Sequence, residues 1–583
     1  MDNTANPPLA NYDSDLFFFT VFLDPHPDLH YKPGSSSEED CHRGHGSSGY
    51  FGADGTNCDA PMALIDATLR WIEQNLKGDI DFVLWTGDSA RHDKDERIPR
   101  TMDEIVRLNE MVTQKFIDIF QQRFSGGPSI PIVPTFGNND IMPHNTMKAG
   151  PNRWTREFLN VWNKLIPEPQ RHSFVEGGWF TTEVIPNKLA VISLNTMYFY
   201  SSNSAVDGCE DKSEPGYEHM QWLKVQLKLL RQRQMKAILI GHVAPARAGS
   251  KQAWDETCWQ KYTLWLHQYR DVVIGSVYGH MNTDHFMLQD SNDVDIVRLA
   301  NSNPTSNGIS VQSDADYIKS LRDEWSKMPP PPSGFLSDEV SFENTAKSEK
   351  KKWKRFLKKI GGPLAEKYSV SLVSPSLVPN YFPTIRVIEY NITGLEDTPT
   401  WADAFSREEL PQVGFDGSPM EEIDKKKKKK KKPNFKVPDS PPSSALPGPA
   451  YSNQQLSWLS YTQYYANLTK IHEQIASSPG NETGNVNETN VGDVFNFEVE
   501  YDTRDDHVYN MKDLTVRSFF DLALRIGGYR PRSQSTSTAA SAGTDGDGFD
   551  TQKKKRKKNN KTWRTFFDRA FVGYLDIDDL DES

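Results

Sequence analysis

The sequence has no apolar run long enough to cross a membrane, and it contains few cysteines. No hydrophobic stretch approaches the roughly 20 residues that span a bilayer, and the longest near the start covers only residues 16–23. A polytopic membrane protein is therefore excluded. The four cysteines are too few for a disulfide scaffold and form no CxxC pair, which argues against a structural zinc knuckle.

The composition is poor in hydrophobic residues and acidic overall. Hydrophobic residues make up 36% of the 583 positions and the mean hydropathy is −0.66, so we expect a sizeable unpacked fraction. Aromatic residues, at 11%, argue against a wholly disordered chain. A net charge of −12 argues against a general nucleic-acid binder. Two basic runs, 425–432 and 553–558, are typical of solvated loops, with help in holding a polyanion as the alternative.

Signals for cellular location are mixed. Residues 1–15 have neither a basic start nor an adequate apolar stretch, so no signal peptide is readable. Five N-glycosylation sequons are present, three of them close together in a polar stretch, which suits a lumenal surface and would favour two disulfides among three pairings. The sequons lie at Asn391, Asn467, Asn481, Asn487 and Asn560. Either an upstream exon is missing, or the protein is cytosolic and the sequons are unused.

Residues 16–300 alternate between short apolar runs and longer amphipathic stretches. The apolar runs predict strands covered on both faces, and the amphipathic stretches predict helices. The predicted strands are 16–23, 82–85, 130–133, 189–194, 237–240 and 272–274, and the clearest predicted helices are 61–76, 101–124 and 218–231. This order predicts an α/β fold.

Four regions follow from the composition. We expect a core at 16–300 and a connecting segment at 301–394, which has a basic amphipathic stretch around 350–359 and one more core strand near 382–390. A low-complexity insertion rich in Lys and Pro follows at 395–450. Residues 451–583 form a C-terminal extension with disordered loops, predicted helical at 454–475, 513–526 and 562–574.

Polar side chains follow five of the six predicted strands. In chain order they are Asp24, His26, Asp88, Asn138, Asn139, His242, His280 and Asn282. Because ligands collect beyond the carboxyl ends of strands in open α/β sheets, we expect these side chains to meet. One such motif is weak, since a lone strand-end Asp more often caps a helix. Five in succession point to a binding site.

These donors predict a pair of divalent cations. Carboxylate, imidazole and carboxamide groups suit Mn, Fe, Zn or Co better than copper, and Asp88 could bridge two ions about 4 Å apart. Two such ions supply a charge of about +4, from which Asp24 and Asp88 remove two, leaving a positive centre in an acidic protein. That centre would attract phosphoryl oxygen and lower the pKa of a bridging water.

The motifs resemble those of the calcineurin-like metallophosphoesterases, whose strand ends carry D-x-H, GD, GN, GH and GH-x-(H/N) in this order. The longer strings are similar to the acid-sphingomyelinase-like branch, and above all to the fungal vacuolar endopolyphosphatases. These strings are Asp24-Pro-His-Pro-Asp28 with Tyr31-Lys32, Trp85-Thr-Gly-Asp88 with Arg91-His92-Asp93, Gly137-Asn-Asn-Asp140, Gly279-His-Met-Asn282 with Asp284-His285-Phe286, and Arg569-Ala-Phe-Val-Gly-Tyr574. The likeness is dense over residues 16–300 and patchy beyond. It implies a calcineurin-like sandwich of two mixed β-sheets flanked by helices.

The resemblance also implies a ligand set. Metal one would be held by Asp24, His26, Asp88 and Asn282, and metal two by Asp88, Asn138, His242 and His280. The family's last ligand is usually His, so Asn282 is a weaker donor, and site one could be labile or take water or His285 instead. The histidine of the family's GNH motif is replaced by Asn139, which removes that acid.

The expected catalytic residues are His92, Arg91 and Asn139. His92 stands where the branch has a histidine four residues after the bridging Asp, and we predict that it protonates the leaving oxygen while Arg91 steadies phosphate charge. Activated water would attack an internal phosphorus in line. The candidates for further phosphate contacts are Lys32, Arg43, Lys94 and Arg97.

The resemblance predicts hydrolysis of internal phosphoanhydride bonds in long inorganic polyphosphate, in the vacuole lumen or at the lumenal face of its membrane. The first alternative is a sphingomyelin-type or other phosphoesterase on the same metal core, although no six-cysteine saposin-like segment precedes it here. The second is a decayed enzyme that only binds polyanions. A membrane anchor is expected only if the N-terminus is truncated, nucleic acid is not expected as a partner, and the oligomeric state is open, a homo-oligomer included.

Overall fold

Two mixed β-sheets of six strands each form the centre of the computed structural model. The structure describes residues 17–577 apart from 23, 122–126, 250, 296–312, 333–346, 396–397, 399, 402–434, 443, 478–493 and 530–559. The strands are β1 (Phe17–Phe22), β2 (Pro27–Asp28), β3 (Ala60–Pro61), β4 (Ile80–Trp85), β5 (Ile132–Pro134), β6 (Phe180–Ile185), β7 (Leu189–Ser193), β8 (Lys236–Ile240), β9 (Arg247–Ala248), β10 (Lys251–Gln252), β11 (Val273–Tyr278), β12 (His285–Asp290), β13 (Tyr368–Val373), β14 (Thr384–Tyr390), β15 (Trp458–Tyr465) and β16 (Glu498–Asp502).

The strand order brings distant parts of the chain together. The first sheet runs β16-β15-β14-β1-β4-β5, with β1, β4 and β5 parallel and β14, β15 and β16 antiparallel to their neighbours. The second runs β12-β13-β11-β8-β7-β6, with β13, β11, β8 and β7 parallel between two antiparallel edge strands. The short pairs β2-β3 and β9-β10 stand apart. The predicted sandwich of two mixed β-sheets is therefore confirmed.

Eleven helices accompany the sheets within the described residues. They are α1 (Met62–Asn75), α2 (Met102–Ile119), α3 (Arg153–Val161), α4 (Arg171–Gly177), α5 (Pro215–Gln232), α6 (Glu256–Gln268), α7 (Asp314–Trp325), α8 (Lys347–Ile360), α9 (Leu468–Ser477), α10 (Val516–Ile526) and α11 (Lys561–Ala570). In the described part of the chain, none combines the length and the apolar character that a bilayer crossing requires.

Helix α2 illustrates how the local sequence determines where a helix begins and which of its sides is buried. The Thr101 side chain accepts a hydrogen bond from the backbone N–H of Glu104, which caps the first turn, and two acidic residues there suit the helix dipole. Ile105, Leu108 and Val112 recur at helical spacing and are fully buried. The apolar face thus seats α2 on the first sheet, where Phe116 meets the ring of Phe22 at 4.8 Å.

The two sheets share one hydrophobic core. The Thr135 hydroxyl, just after β5, donates to the carbonyl of Leu194, and the Ser193 hydroxyl of β7 donates to the carbonyl of Pro134, at 2.8 and 2.7 Å. A Cβ atom on Gly275 of β11 would lie 2.5 Å from the Trp458 ring of β15. The two hydroxyl hydrogen bonds place the carboxyl ends of β5 and β7 side by side.

The C-terminal region is less helical than the sequence predicts. The helix expected over 454–475 is wrong in its first half, where β15 pairs with both β14 and β16. Trp458, Tyr461 and Tyr464 of this strand are buried, because aromatic side chains suit a covered sheet face. The helices expected at 513–526 and 562–574 are present as α10 and α11, and the strand expected near 382–390 is β14. The basic runs at 425–432 and 553–558 lie outside the described residues.

All four cysteines are oxidised. Disulfides join Cys41 to Cys58 and Cys209 to Cys258. The first encloses the loop between β2 and β3, and the second ties the approach to α5 to the first turn of α6. Both pairs are buried, and no thiolate is present to serve as a metal ligand.

Candidate metal centre

Five loops that leave the carboxyl ends of parallel strands meet at one edge of the sandwich. They follow β1, β4 and β5 of the first sheet and β8 and β11 of the second. Because the two sheets face each other, the loops bring together side chains from widely separated parts of the chain. The predicted ligands found in this cluster are Asp24, His26, Asp88, Asn138, His242 and His280.

Asp88 stands at the middle of the cluster and is almost fully buried. Its Oδ2 atom lies 3.3 Å from Nε2 of His26 and 3.2 Å from Nε2 of His242. Nε2 of His242 also lies 2.7 Å from Oδ1 of Asn138, which in turn is 2.7 Å from Nδ1 of His280. One carboxylate therefore faces ligands of both predicted metal sites, as a bridging role requires.

Asp24 joins the second sheet's loops to the first. Its Oδ1 atom lies 3.5 Å from Nδ1 of His242, and Oδ2 accepts a hydrogen bond of 2.5 Å from the backbone N–H of His280. This approach needs a glycine at 279, because a Cβ atom there would lie 2.6 Å from the Asp24 carboxylate.

The imidazole rings of the cluster are oriented as metal ligands are. Nδ1 of His26 donates to the carbonyl of Ala90, and Nδ1 of His242 donates to the carbonyl of Thr86, both at 2.8 Å. A carbonyl only accepts, so the proton of each neutral ring sits on Nδ1, and Nε2 directs a lone pair at Asp88. Lone pairs of nitrogen and carboxylate repel unless a cation lies between them. The donor set therefore fits divalent cations, with backbone carbonyls fixing the rings.

The backbone of the cluster is strained. Asp24 and His26 have φ of 37°, Asp88 and Asn282 have φ of 53°, and His280 has φ of 69°. These values fall in the left-handed region, which side chains other than glycine rarely adopt. Five of the seven predicted ligands thus have a conformation that the surrounding structure must impose, as is common at functional sites.

The electrostatics show how strongly the cluster attracts positive charge. Burial favours the neutral form of Asp88, but the charged forms of His242 and His26 outweigh that effect and lower its pKa well below the usual value, while, against burial, Asp88 raises the pKa of both rings. A divalent cation would take the place of the two ring protons. Burial, together with the nearby His242, lowers the pKa of His280 well below its usual value. A carboxylate and a neutral imidazole are the ionisation states that metal ligands adopt.

Asn282, the predicted departure from the family's last ligand, has a distinct environment. Its Oδ1 atom is buried and accepts no hydrogen bond from the described residues, while Nδ2 lies 3.4 Å from Oδ1 of Asn380. The residue lines an open pocket of about 290 Å³. An amide oxygen without a donor is available to a cation. The alternative, His285, is the first residue of β12, and its ring lies against Tyr317 of α7.

His92 lies beside the cluster, held by a residue that the sequence did not single out. The Asp59 carboxylate accepts hydrogen bonds from the backbone N–H of His92 at 2.7 Å and pairs with its Nδ1 atom at 2.6 Å. The His92 ring stacks on His26 with centroids 4.1 Å apart. Together the three side chains form a group whose donor atoms lie within 4.8 Å of one another. Asp59 precedes the two-residue strand β3, a position that gives no sequence signal.

Asn139 and Arg91 are buried and contact the protein. Asn139 donates to both oxygens of Asp88, from its backbone N–H at 2.7 Å and from Nδ2 at 2.9 Å. Arg91 is 1% exposed, and its guanidinium group donates to Glu104 at 2.6 Å and to the carbonyl of Ile98 at 2.7 Å. These contacts favour roles in holding Asp88 and the 91–98 loop, and the predicted contact of Arg91 with phosphate stays a prediction.

The further phosphate contacts predicted from the sequence divide into two kinds. Arg43 binds Asp95 through two hydrogen bonds of 2.6 and 2.8 Å, and Arg97 lies 3.4 Å from Glu39, so carboxylates engage both cations. Lys94 is exposed and donates to the carbonyl of Asn57 beside His92. Lys32 is exposed. The lysines are therefore the two of the four candidates that form no ion pair with the described part of the chain.

Comparisons with known proteins identify the group to which the chain belongs. A family profile described as Calcineurin-like phosphoesterase matches residues 28–284. The endopolyphosphatase of Neurospora crassa is 44% identical, with 90% of this chain and 79% of that protein covered. This chain belongs to the calcineurin-like phosphoesterase family. The endopolyphosphatase of Saccharomyces cerevisiae is 34% identical, with 88% of this chain and 83% of that protein covered.

Membership of the calcineurin-like phosphoesterases implies divalent metal ions, and the orientation of His26 and His242 fits them. A solved structure of a dimetal phosphatase from Danio rerio is 13% identical and matches 47% of this chain and 84% of that chain, with a TM-score of 0.27. The family assignment does not depend on this match.

Proposed function

We propose that the chain is an endopolyphosphatase that hydrolyses internal phosphoanhydride bonds of long inorganic polyphosphate to give shorter chains. The observation that carries the proposal is the 44% identity to the endopolyphosphatase of Neurospora crassa over 90% of this chain. The converging donors around Asp88 supply the hydrolytic centre that this reaction needs.

The residues divide into groups with different tasks. Asp24, His26, Asp88 and Asn282 would hold one cation, and Asn138, His242 and His280 would hold a second with Asp88. When bound, divalent ions polarise a phosphoryl oxygen and lower the pKa of a water molecule. Asn139 fixes both oxygens of Asp88, and Asp59 orients His92 to give a proton to the departing phosphate.

The metal identity is proposed from the donor chemistry. Imidazole, carboxylate and carboxamide donors suit Mn, Zn, Fe or Co, and the absence of thiolates among four disulfide-bonded cysteines disfavours soft ions. Elemental analysis of the purified protein should find close to two equivalents per chain. Less than one equivalent, with polyphosphate still bound, would favour a binding protein over an enzyme.

The decisive experiment follows long-chain polyphosphate on a gel. The wild-type protein with Mn²⁺ should produce fragments of intermediate length, whereas release of single phosphates from the ends would contradict endo cleavage. Asp88→Asn should lower the rate at least about a thousandfold, because it removes the charge that both cations share. Asp103→Asn is the matched control, since Asp103 lies on α2 and keeps 98% of its side chain exposed. Equal activity of Asp88→Asn and wild type would remove the metal proposal.

The sphingomyelin-type alternative finds no support in the pocket beside Asn282. Its lining is polar, whereas a lipid substrate needs an apolar entrance; the lining residues are Gly55, Thr56, Asn57, Asn282, Asp314, Asn380 and Tyr381. Rates on a choline phosphodiester and on polyphosphate, measured on one preparation, separate the two readings.

For location we propose the vacuole lumen. Two disulfides support a compartment outside the cytosol, as do the sequons. Glycosidase treatment of protein from its own cells should lower the apparent mass. Asn560 should stay unmodified, because it is buried and its amide donates to the carbonyls of Arg525 and Ile526. A membrane anchor and self-association remain predictions.

A further inference from the structure

Helix α8 carries the densest positive charge of the described chain. Its fourteen residues include seven lysines and one arginine against one glutamate, a net charge of 8 − 1 = +7 in a protein of net charge −12. Seven of these cations are exposed: Lys347, Lys351, Lys352, Lys354, Arg355, Lys358 and Lys359. Only Lys352 of the seven pairs with a described carboxylate, that of Glu349 at 2.9 Å. The exposed face of α8 therefore carries a concentrated positive charge that described carboxylates largely leave unpaired.

The helix separates its exposed cations from its apolar side. At about 100° per residue, the seven exposed cations fall within an arc of roughly 160°. The opposite side carries Phe356 and Ile360, which are 4% and 0% exposed. They pack with Tyr368 of β13 and Phe520 of α10, whose rings lie 5.0 Å apart. The apolar side thus packs on the protein, and the cations face outward.

The position of α8 separates it from the metal centre. The helix packs at Tyr368, the first residue of β13, whereas Val373 at the other end pairs with Tyr278, two residues before His280. Six residues of strand span about 20 Å. A short phosphate chain at the metal centre does not reach this helix, but a long chain does.

We propose that the exposed face of α8, resting on the function proposed above, is a second binding site for the distal part of a long polyphosphate chain. The occupant must be a dense polyanion, because the face offers charge without an apolar surface or an enclosed pocket. A membrane is the weaker candidate, since the side chains that would insert into a bilayer are buried. Holding the chain at a second point raises its effective concentration at the metal centre, and this gain depends on chain length.

The test removes four charges from α8 and compares substrates of different length. The variant combines Lys351→Gln, Lys354→Gln, Arg355→Gln and Lys358→Gln, which leaves the buried side unchanged. We expect KM for long-chain polyphosphate to rise about tenfold at low salt with kcat unchanged, and hydrolysis of tripolyphosphate to change less than about twofold. An equal loss of activity on both substrates, or no loss on either, overturns the proposal.

Two further variants control for charge and position. Replacing the three lysines of the set by Arg keeps the charge and should keep the wild-type KM. A matched variant replaces four exposed cations outside α8 by Gln. They lie on α1, α2, α3 and the loop after α3, in the order Arg70, Arg107, Arg156 and Lys164. This matched variant has the same net charge as the α8 variant. An equal rise of KM in this variant would show a general effect of net charge and would overturn the proposal of a binding site on α8.

Binding measured without cleavage separates this proposal from the enzymatic function. In the Asp88→Asn background, long-chain polyphosphate should bind with a salt dependence whose slope falls by about three to four when the four α8 charges are removed. If the wild type binds in this way but does not cleave, the proposed function fails and the site stands. If vesicles of phosphatidylserine bind through α8 and polyphosphate does not compete, the occupant is a membrane and the proposal fails.

Discussion

Asp59 and His92 give the centre one imidazole of fixed orientation. The Asp59 carboxylate engages both the backbone N–H and Nδ1 of His92, which leaves Nε2 as the atom that can exchange a proton with a substrate. His92 keeps 20% of its side chain exposed, whereas His26 beneath it keeps 2%. The accessible ring is therefore suited to proton transfer and the buried one to holding a cation.

We expect His92→Ala to lower kcat for polyphosphate by about 10²- to 10⁴-fold with little change in KM, because a proton donor acts in the transition state. Asp59→Asn should lower kcat by about 10- to 100-fold, since it acts through His92. Steady-state kinetics at saturating metal measure both effects. His172→Ala, at a 90% exposed histidine, is the control. If the loss of kcat in the double variant equalled the product of the two single losses, the proposal that Asp59 acts through His92 would be contradicted.

His42 is a second histidine fixed by carboxylates. Its Nε2 atom lies 2.7 Å from Asp28 and its Nδ1 atom 2.6 Å from Asp95. A neutral imidazole has one N–H, so both hydrogen bonds form only when the ring is protonated. Burial lowers the pKa of His42, but the two carboxylates outweigh it and raise the pKa above the usual value. The two hydrogen bonds of His42 link the 28–42 loop to the loop that carries His92.

This raised pKa makes the contribution of His42 to stability depend on pH. The contribution is fully present below the unfolded pKa of about 6.5 and is lost as pH rises through the higher folded pKa. We expect His42→Gln to lower the free energy of unfolding by about 1.5–3 kcal/mol near pH 5, and by less near pH 9. Urea unfolding at both pH values measures the difference. An equal loss at the two values would contradict the protonated state.

The ligand loops could be predicted from the sequence because each directly follows an apolar strand. Asp24, Asp88 and His242 stand within four residues of a strand end, so the fold alone determines where they lie. The partners that hold them could not be found in this way. Asp59 precedes a two-residue strand, and the pairing of Arg91 with Glu104 joins a loop to a helix turn. Such contacts depend on tertiary packing and leave no periodic pattern.

At the scale of elements, helix α11 fixes the loop that carries His280 and Asn282. The backbone N–H of Asp284 donates to the carbonyl of Ala570 at 3.0 Å, and the Asp284 carboxylate pairs with Arg386 at 2.7 Å. Tyr501 of β16 donates to the same carboxylate. The guanidinium group of Arg569 lies 3.8 Å from the Tyr501 ring. The last described helix therefore supports the second-sheet ligands through one buried polar network.

We expect Arg569→Ala to weaken metal retention about 10- to 100-fold, because it loosens the partners of the ligand loop without touching a ligand. Competition with a chelator, followed by elemental analysis, measures the retention directly. Lys561→Ala, on the exposed start of the same helix, is the control and should match wild type. Unchanged metal affinity in a folded Arg569→Ala protein would limit α11 to a stabilising role.

Element prediction failed where a strand and a helix share the same local pattern. Residues 454–475 show apolar and aromatic spacing that fits a helix, yet β15 occupies its first half because β14 and β16 offer hydrogen-bonding edges on both sides. The strands β6, β12, β13 and β16 were not predicted either. Each pairs with a strand that the sequence did predict, with another of this group or, for β16, with β15, so the sheet rather than local preference determines them.

For the whole molecule, the two sheets depend on the chain beyond residue 300. Of their twelve strands, β13, β14, β15 and β16 come from this part. β14 pairs along β1, and β13 separates β11 from β12, so both are internal strands. The region that contains every predicted ligand is therefore not a complete core by itself.

We expect a fragment covering residues 1–300 to fail to fold, because two internal strands would be missing and their neighbours would expose apolar faces. Circular dichroism and size-exclusion chromatography of the refolded fragment check this. Deletion of 425–432, the lysine run whose composition is typical of a solvated loop, is the comparison and should leave a folded protein with metal bound. A soluble fragment with a cooperative unfolding transition would contradict the expectation.

The pairing of Phe17 with Tyr390 has a consequence for biosynthesis. A ribosome adds roughly 5–20 residues per second, so half a minute to two minutes separates the emergence of Asp24 from that of Ala570. Once Asn282 has emerged, the chain carries every predicted ligand but has no completed scaffold to align them. We therefore expect the nascent polypeptide to lack hydrolytic competence until the strands and helices beyond residue 300 have been synthesised.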